Sequence, residues 1–540
     1  MKNKLYIFLG TIFIVLIFNL GSWGLTESSE ARYATIAKEM VENNDYINPT
    51  LLEIKHFHKP PVTYYLTALG YKIFGINEFG ARFFMQIALL IQIFLLFKIT
   101  FLLYKNEKIA YAASLIYFTF PITLISIRNL TTDAYLTTFI IASIYFWLHY
   151  KKLHKKYLLY LFYISLGLIF ETKGPVGLII PITFIISYKI LNKEKIETTI
   201  HQFLGFLLFL IVSSAWYIAV IYKNDHLFHY FFNNQLVERV AENKFKRGKP
   251  FWYYLLTMPL IGLPWLFFLF FYFKKNFKNI LTTKKTEFVL LITFLILFLI
   301  LSISTSKLIL YVLPLYFIVA IFMAKYLSEC TSKTIRLFSI IILSLTIILQ
   351  TAVVVFSFIK NEISINPIYA SIGAVLFISA SFILLKFIKN SNFLKPAYLS
   401  IIFIISLLFT ANHTFTLNEL NINSVKPIAK FIQDKAHNNE EVYVYNYLLP
   451  SMSFYLNKKI TTINHGRYTT QRETQFQKND VWKEHFINYF KEEDRNRLLN
   501  TNTNNLFLIK RKKDILPDTL KIIQSKLKHK KVFDKYEIYY

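Results

Sequence analysis

Long apolar stretches separated by short polar ones run along the first four fifths of the chain. These runs are about 16–22 residues long, the length that a helix needs to cross the hydrocarbon core of a bilayer. They predict thirteen membrane-spanning helices. The approximate positions are residues 5–23, 84–103, 109–127, 133–149, 157–171, 175–190, 203–222, 254–273, 287–304, 307–325, 337–358, 367–387 and 396–411.

The lysines between these runs fall in alternate loops. The lysine-rich loops, such as residues 151–156 and 274–285, lie on the same side as Lys2 and Lys4, and the loops on the other side carry few basic residues. Lysine-rich loops stay in the cytoplasm. We therefore expect a protein of the cell inner membrane with a cytoplasmic N-terminus and a C-terminal tail in the periplasm.

Composition and charge narrow the function classes. The chain has 540 residues, of which 54% are hydrophobic, and a formal net charge of +29. On a soluble protein this charge would indicate nucleic acid, but cytoplasmic lysines account for it here, so we expect membrane lipids and no nucleic acid as partners. The middles of the predicted spans contain almost no ionisable residues, which ion-coupled transporters usually need. The single cysteine, Cys330, excludes an intramolecular disulfide.

The pattern changes after the last predicted span. Short runs there have the composition of β-strands or the apolar spacing of helices. The strands are expected at residues 442–445, 506–509 and 532–540, and the helices at residues 427–435 and 518–527. The predicted fold is thus an all-α polytopic membrane domain over residues 1–411, followed by an α/β periplasmic domain over residues 412–540.

The loop at residues 24–83 is the first candidate for an active site. Two amphipathic helices are predicted in it, with Glu27, Glu30 and Arg32 at the first and His58 and Lys59 just before the second. A carboxylate there could act as a general base or hold a metal, and the cations could neutralise a phosphate. The alternative is that these are ordinary amphipathic helices at the membrane interface, with their charges in solvent, which would show the same pattern.

Further polar residues lie at the outward ends of other spans. Asp133 could be a partner for Glu30 or an N-terminal helix charge. Lys173 and Lys307 stand in short outward turns. They could bind a lipid phosphate there, or they could merely extend their ammonium groups to the membrane–water interface. Residues 223–253 combine a basic run with aromatic residues, which is typical of headgroup contact or of interface anchoring.

Several of these stretches together resemble a known family. They are Ser29-Glu30-Ala31-Arg32-Tyr33-Ala34, Phe57-His58-Lys59-Pro60-Pro61, Thr132-Asp133, Thr172-Lys173-Gly174 and Ser306-Lys307-Leu308 with Tyr311. In this order they are similar to the bacterial lipid A aminoarabinose transferases over about residues 5–330. That family belongs to the GT-C glycosyltransferases and is related to the protein mannosyltransferases.

The resemblance implies an enzyme and a set of site residues. The donor would be a sugar on undecaprenyl or another polyprenyl phosphate, moved with inversion onto lipid A or another envelope glycan, lipid or protein on the periplasmic face. Catalytic roles fall to Glu30, Asp133 and Glu27. The donor phosphate would be held by Arg32, Lys59, Lys173 and Lys307, with Tyr33, His58 and Tyr311 lining the site.

The chain departs from the family pattern at two positions. Ser29 stands where the family usually has an aspartate, so a neighbouring glutamate would replace it, with Glu30 preferred to Glu27. His58 stands where the family has a glutamate, and a divalent cation could be held by Glu30, His58 and Asp133. The rival interpretations are a flippase or transporter of lipid-linked sugars and a structural assembly protein whose tail binds a partner.

Overall fold

A computed structural model describes the chain except for short gaps. The gaps are residues 28, 196–197, 225–226, 232–247, 283, 360–361, 436–439, 468–469, 471–473 and 477–480. The first seventeen labelled helices belong to the membrane domain. They are α1 (Lys2–Ile17), α2 (Ser29–Glu42), α3 (Val62–Phe74), α4 (Glu78–Tyr104), α5 (Glu107–Phe118), α6 (Pro121–Arg128), α7 (Asp133–Leu153), α8 (Lys156–Lys173), α9 (Ile179–Leu191), α10 (Ile200–Lys223), α11 (Tyr253–Ile261), α12 (Trp265–Thr282), α13 (Lys285–Ile303), α14 (Tyr316–Glu329), α15 (Ser332–Phe358), α16 (Pro367–Phe387) and α17 (Lys395–Leu417).

Each of the thirteen predicted spans overlaps a helical segment, and the number of thirteen crossings stays a prediction. Within the described parts, seven helical segments are long and apolar enough to cross a membrane, and two bent pairs raise the number to nine. The pairs are α5 with α6, bent by 57°, and α11 with the start of α12, bent by 110°. Pro121 begins α6, because proline has no amide hydrogen to continue the preceding helix and fits the first turn of a new one.

Buried polar contacts fix the start of α7, on which Asp133 lies. The Gln92 side chain of α4 donates from Nε2 to the carbonyl of Ala134 and to Oγ1 of Thr138, both at 2.9 Å. The Tyr117 hydroxyl of α5 donates to Oε1 of the same glutamine at 2.7 Å. Polar groups that are satisfied only by each other in an apolar interior specify one arrangement of the helices. This network therefore holds α4, α5 and α7 in register.

The loop between α1 and α4 folds into α2, α3 and a small hairpin of β1 (Thr50–Leu51) and β2 (Ile54–Lys55). Glu39 closes the hairpin by accepting hydrogen bonds from the Thr50 hydroxyl and the Leu52 amide. Ile36 and Met40 of α2 are buried against the C-terminal domain, and the Lys38 ammonium donates to Oδ1 of Asn457 at 2.8 Å. Helix α2 is therefore enclosed by protein, and its polar face is not simply solvated.

The C-terminal domain is a six-stranded mixed sheet with helices α18 (Lys426–Lys435), α19 (Pro450–Leu456), α20 (Glu492–Leu499) and α21 (Asp518–Lys526). The strand order is β5-β4-β3-β6-β8-β7. The strands are β3 (Glu441–Tyr445), β4 (Thr461–Asn464), β5 (Phe486–Asn488), β6 (Leu506–Arg511), β7 (Lys530–Phe533) and β8 (Tyr536–Tyr539). The first four are parallel, and β8 runs antiparallel to β6 and β7.

The strand order reverses at β3. The chain passes from β3 through β4 to β5 on one side, then returns to form β6 on the other side of β3. In parallel sheets, such a reversal opens a crevice at the carboxyl ends of the two strands, and ligands commonly bind there. The predicted strands and helices of this domain are confirmed, with the last predicted strand divided into the hairpin of β7 and β8.

Candidate active site

A cavity of about 270 Å³ opens where the loop meets α8 and α10. Its walls are mostly apolar, and two lysines stand in them. The lining residues are Phe57, His58, Lys59, Pro60, Phe170, Lys173, Gly174, Pro175, Ser213, Ser214, Tyr217, Ile221, Phe228 and Phe231. An apolar cavity with a few convergent cations is suited to an amphiphile that carries an anionic group.

Aromatic packing positions the Lys59 side of the cavity. Phe57 is fully buried in a cluster with Trp216 and Phe476, and the Trp216 indole donates to the carbonyl of Ile47 at 2.9 Å. His58 shares a hydrogen bond of 2.8 Å between Nδ1 and the Tyr230 hydroxyl. Lys59 follows immediately and is half-buried in the cavity wall. The loop is thus anchored through the two residues that precede the lysine.

Lys173 also lines the cavity and is in contact with Asp133 and Tyr311. Its ammonium lies 2.5 Å from Oδ1 of Asp133 and 4.2 Å from the centre of the Tyr311 ring. Lys173 is the last residue of α8, and Gly174 with φ +76° turns the chain away at that point, a conformation that favours glycine. From the sequence, Asp133 could be either a partner of Glu30 or an N-terminal helix charge; the structure pairs Asp133 with Lys173.

Glu30 is engaged in a buried ion pair. Arg82 donates to both oxygens of the Glu30 carboxylate, at 2.8 and 3.0 Å, and both side chains are fully buried. The Thr26 amide and the Leu130 amide donate to the same carboxylate, at 2.8 and 3.3 Å. The remaining Arg82 donors bind three backbone carbonyls of residues 20–24. This geometry suits a carboxylate that holds the loop to the bundle.

Glu27 has a different environment. Its Oε1 accepts from the amide and the hydroxyl of Ser451 in the C-terminal domain, at 3.0 and 2.5 Å. Its Oε2 is buried and makes no hydrogen bond with a described residue. Burial raises the pKa of the Glu27 carboxyl to about 7, against the opposing effects of Ser451, Arg32 and Arg511. A carboxylate with a pKa near neutrality and an unbonded oxygen can act as a general base.

Arg32 and Tyr33 belong to the Glu27 side of the loop. The charge of Arg32 acts on Glu27, whereas Arg32 itself makes no hydrogen bond or salt bridge with the described residues, and its Nε is buried. The ring of Tyr33 packs at 5.4 Å from the ring of Tyr64. Neither residue lines the cavity that contains Lys59 and Lys173.

Lys307 lies apart from the cavity lining as well. The residue is only 3% exposed, and its ammonium donates to the backbone carbonyls of Ser304 and of Lys249, the latter at 3.1 Å. Lys307 thus links the turn before α14 to the segment before α11. Of the four predicted phosphate ligands, Lys59 and Lys173 line the cavity, and Arg32 and Lys307 do not.

The three side chains predicted for a cation have separate partners. Glu30 pairs with Arg82, Asp133 with Lys173, and His58 with Tyr230. The described parts of the chain contain no group of three or more His, Cys, Asp or Glu side chains arranged to hold a metal ion. The arrangement therefore does not fit a metal held by this set.

Two residues that matter here carried no predicted role. Arg82 had a signal in the sequence, because an arginine at the start of an apolar span is costly unless it is paired. Ser451 had none, since it reaches Glu27 from the distant C-terminal domain. The basic run predicted for headgroup contact lies largely at residues 232–247, which are outside the described residues.

Comparison with known proteins identifies relatives. Residues 58–218 match the family model of the dolichyl-phosphate-mannose-protein mannosyltransferases. The chain is 31% identical over 338 residues to the undecaprenyl phosphate-alpha-4-amino-4-deoxy-L-arabinose arabinosyl transferase 2 of Proteus mirabilis, covering 61% of each chain. It is 30% identical to the corresponding transferase of Photorhabdus laumondii, again over 61% of each. The chain thus spans about three fifths of the length of the curated relatives that it matches.

The fold has a counterpart among solved structures. ArnT from Cupriavidus metallidurans bound to undecaprenyl phosphate superposes with a TM-score of 0.79 at 18% identity, covering 100% of this chain and 98% of that one. The apo state of the same ArnT superposes with a TM-score of 0.77 at 19% identity, with the same coverage of both chains. The predicted resemblance is confirmed, and so is the predicted fold class, a helical membrane domain of the GT-C type followed by a sheet domain.

Proposed function

From the similarity of this multi-span membrane protein to the aminoarabinose transferases, we propose that it is a glycosyltransferase. It moves a sugar from a polyprenyl phosphate donor, such as undecaprenyl phosphate, onto lipid A or another envelope acceptor at the periplasmic face. The observation that carries the proposal is the apolar cavity whose lining includes both Lys59 and Lys173. A polyprenyl phosphate offers the matching chemistry, an apolar chain next to an anion.

The two lysines would act on the leaving group. When the bond between the anomeric carbon and the phosphate oxygen breaks, negative charge grows on the polyprenyl phosphate. Cations that are already in place stabilise that charge more than they stabilise the bound donor, which lowers the barrier. The contact between Lys173 and Asp133 holds one of them in position before the donor arrives.

Glu27 would activate the acceptor. Its carboxylate takes the proton from the attacking oxygen of the acceptor as that oxygen bonds to the anomeric carbon, with inversion. The leaving oxygen departs as part of polyprenyl phosphate, so one glycosidic bond replaces another and no oxidant or other co-reactant is needed. Glu30 takes a positioning role through Arg82 in this scheme, and Asp133 takes one through Lys173.

The test uses the full chain reconstituted in phospholipid with polyprenyl phosphate sugars and candidate envelope acceptors. Release of polyprenyl phosphate and labelling of the acceptor are measured together. Lys59→Gln is expected to weaken donor binding, whereas Lys72→Gln, which changes an exposed lysine of the same loop, is the matched control. Movement of the intact donor across the bilayer without sugar release would identify a flippase and contradict the proposal.

A further inference from the structure

The segment that carries Lys59 lies between two regular elements. Residues 56–61 follow β2 and precede α3, and they belong to neither a helix nor a strand. Pro60 and Pro61 have no amide hydrogen, so the backbone directly after Lys59 cannot donate hydrogen bonds. The position of the lysine therefore depends on how the side chains before it, Phe57 and His58, are packed.

The C-terminal domain reaches these two side chains with one phenylalanine. Phe476 ends a short helical turn, Thr474–Phe476, in the connection from β4 to β5, and it is only 2% exposed. The centre of its ring lies 5.5 Å from that of Phe57 and 5.0 Å from that of His58. Since Phe57 and His58 line the cavity, a residue of the C-terminal domain supports the cavity wall.

Tyr230 completes this aromatic cluster. Its ring centre is 4.6 Å from that of Phe476, with an angle of 81° between the rings, which is the edge-to-face geometry that aromatic pairs favour. The Tyr230 hydroxyl also shares the hydrogen bond with Nδ1 of His58. Phe476 therefore packs against both of the side chains that form this bond.

A second contact joins the domain to the same loop at the hairpin of β1 and β2. The Glu53 carboxylate lies 2.7 Å from the ammonium of Lys459 and 3.7 Å from Nε2 of His485. Lys459 is largely exposed, and an exposed ion pair contributes little to stability because water screens it. The ring contacts of Phe476 are buried, so this phenylalanine is the stronger anchor.

We propose that Phe476 is a positioning residue for the donor site, through which the C-terminal domain holds Lys59 in the cavity wall. The inference rests on the proposed role of Lys59 as a ligand of the donor phosphate. A cation stabilises the charge of a leaving group best when it is already in place, and the packing of its neighbours fixes that place. Loss of the Phe476 ring would leave a void beside Phe57 and His58 and would let the lysine move.

Binding of undecaprenyl phosphate to the full chain in phosphatidylcholine nanodiscs tests this role. Phe476→Ala is expected to raise the Kd about ten-fold, because a small displacement of a positioned group is costly. Phe476→Leu keeps much of the buried apolar volume, so its Kd should lie between those of the wild type and Phe476→Ala. Phe454→Ala is the matched control and should bind as the wild type does. Phe454 is buried at the interface with the same loop, but it packs near Tyr71 and the Lys38 ammonium.

A double-mutant cycle distinguishes positioning from a general loss of stability. Lys59→Gln removes the ammonium that Phe476 is proposed to position. Phe476→Ala should therefore have little further effect on the Kd in a chain that already carries Lys59→Gln, whereas independent effects would multiply. Multiplied effects, or an unchanged Kd in Phe476→Ala alone, would overturn the inference.

Amide hydrogen exchange measures the anchoring of the loop without any donor. Exchange of residues 53–59 should become faster in Phe476→Ala and stay unchanged in Phe454→Ala, because local contacts set the free energy of local opening. Thermal unfolding verifies that every variant is folded. Unchanged exchange in Phe476→Ala would also overturn the inference. If the wild type binds no undecaprenyl phosphate but the exchange of this segment becomes faster in Phe476→Ala, the proposed function fails and the anchoring of the loop by the domain stands.

Discussion

Replacing Glu27 by glutamine should stabilise the protein above neutral pH and abolish its proposed activity. The Glu27 carboxyl keeps its proton in the folded protein up to a pH of about 7, whereas its ordinary pKa is 4.5. The folded state therefore loses stability as the pH rises from the lower value through the higher one. A pKa shift of this size corresponds to a loss of at most about 3 kcal/mol in the free energy of unfolding.

Glutamine removes that loss without removing the local contacts. Its carbonyl oxygen can accept both hydrogen bonds from Ser451, and it carries no charge that burial would penalise. The difference in unfolding temperature between Glu27→Gln and the wild type should thus be small near about pH 5 and should grow in favour of the variant up to about pH 8. Intrinsic fluorescence during heating in detergent measures it.

The transfer activity of Glu27→Gln should fall, although its stability rises. Loss of a general base typically slows a reaction about 10²- to 10⁴-fold, and kcat/KM of the wild type should rise with pH around 7 as Glu27 ionises. Glu42→Gln is the matched control, since it neutralises an exposed carboxylate of α2, and it should change neither property. Transfer at the wild-type rate by Glu27→Gln, or a stability difference that does not depend on pH, would refute this reasoning.

Three other changes test the remaining contacts. Lys59→Gln should raise the donor Kd roughly 10- to 100-fold in an equilibrium binding assay, with Lys59→Arg retaining most of the affinity; equal affinity in both would contradict a phosphate contact. Arg82→Gln should destabilise the protein by about 3–5 kcal/mol in denaturant titrations, because it leaves the buried Glu30 unpaired, and adding Glu30→Gln should recover part of this loss. The effects of Asp133→Asn and Lys173→Gln on kcat/KM should be non-additive in a double-mutant cycle, because Asp133 is proposed to act by positioning Lys173. Additive effects would contradict this coupling.

The helices of the membrane domain could be predicted from the sequence because the signal is local. An apolar run long enough to span a bilayer leaves the backbone no partner but itself, so it must be helical. The bend between α5 and α6 was not predicted, although Pro121 marks it in the sequence. The strands of the C-terminal domain were found for the same local reason, but the position of β6 beside β3 depends on contacts between residues far apart in the chain.

The choice between the two glutamates could not be made from the sequence. Glu27 and Glu30 are three residues apart and chemically identical, so only their partners distinguish them. Glu30 meets Arg82, which is 52 residues away, and Glu27 meets Ser451, which is 424 residues away. Glu30 is paired with a buried guanidinium, whereas Glu27 is buried beside a neutral hydroxyl, and burial raises its pKa to about 7. Residues that the sequence treats alike therefore stand in different environments, and this difference is the basis of the roles proposed for them.

The same contacts tie catalysis to the docking of the C-terminal domain. Ser451 donates two hydrogen bonds to Glu27 and lowers its pKa, and Arg511 acts in the same direction from the edge of the sheet. Burial is the larger influence and raises the pKa of Glu27 to about 7. The contacts with the domain oppose it and favour the charged form, which is the form that a general base needs. The C-terminal domain therefore contributes to the chemistry of the proposed base, although it is more than 400 residues away in the chain.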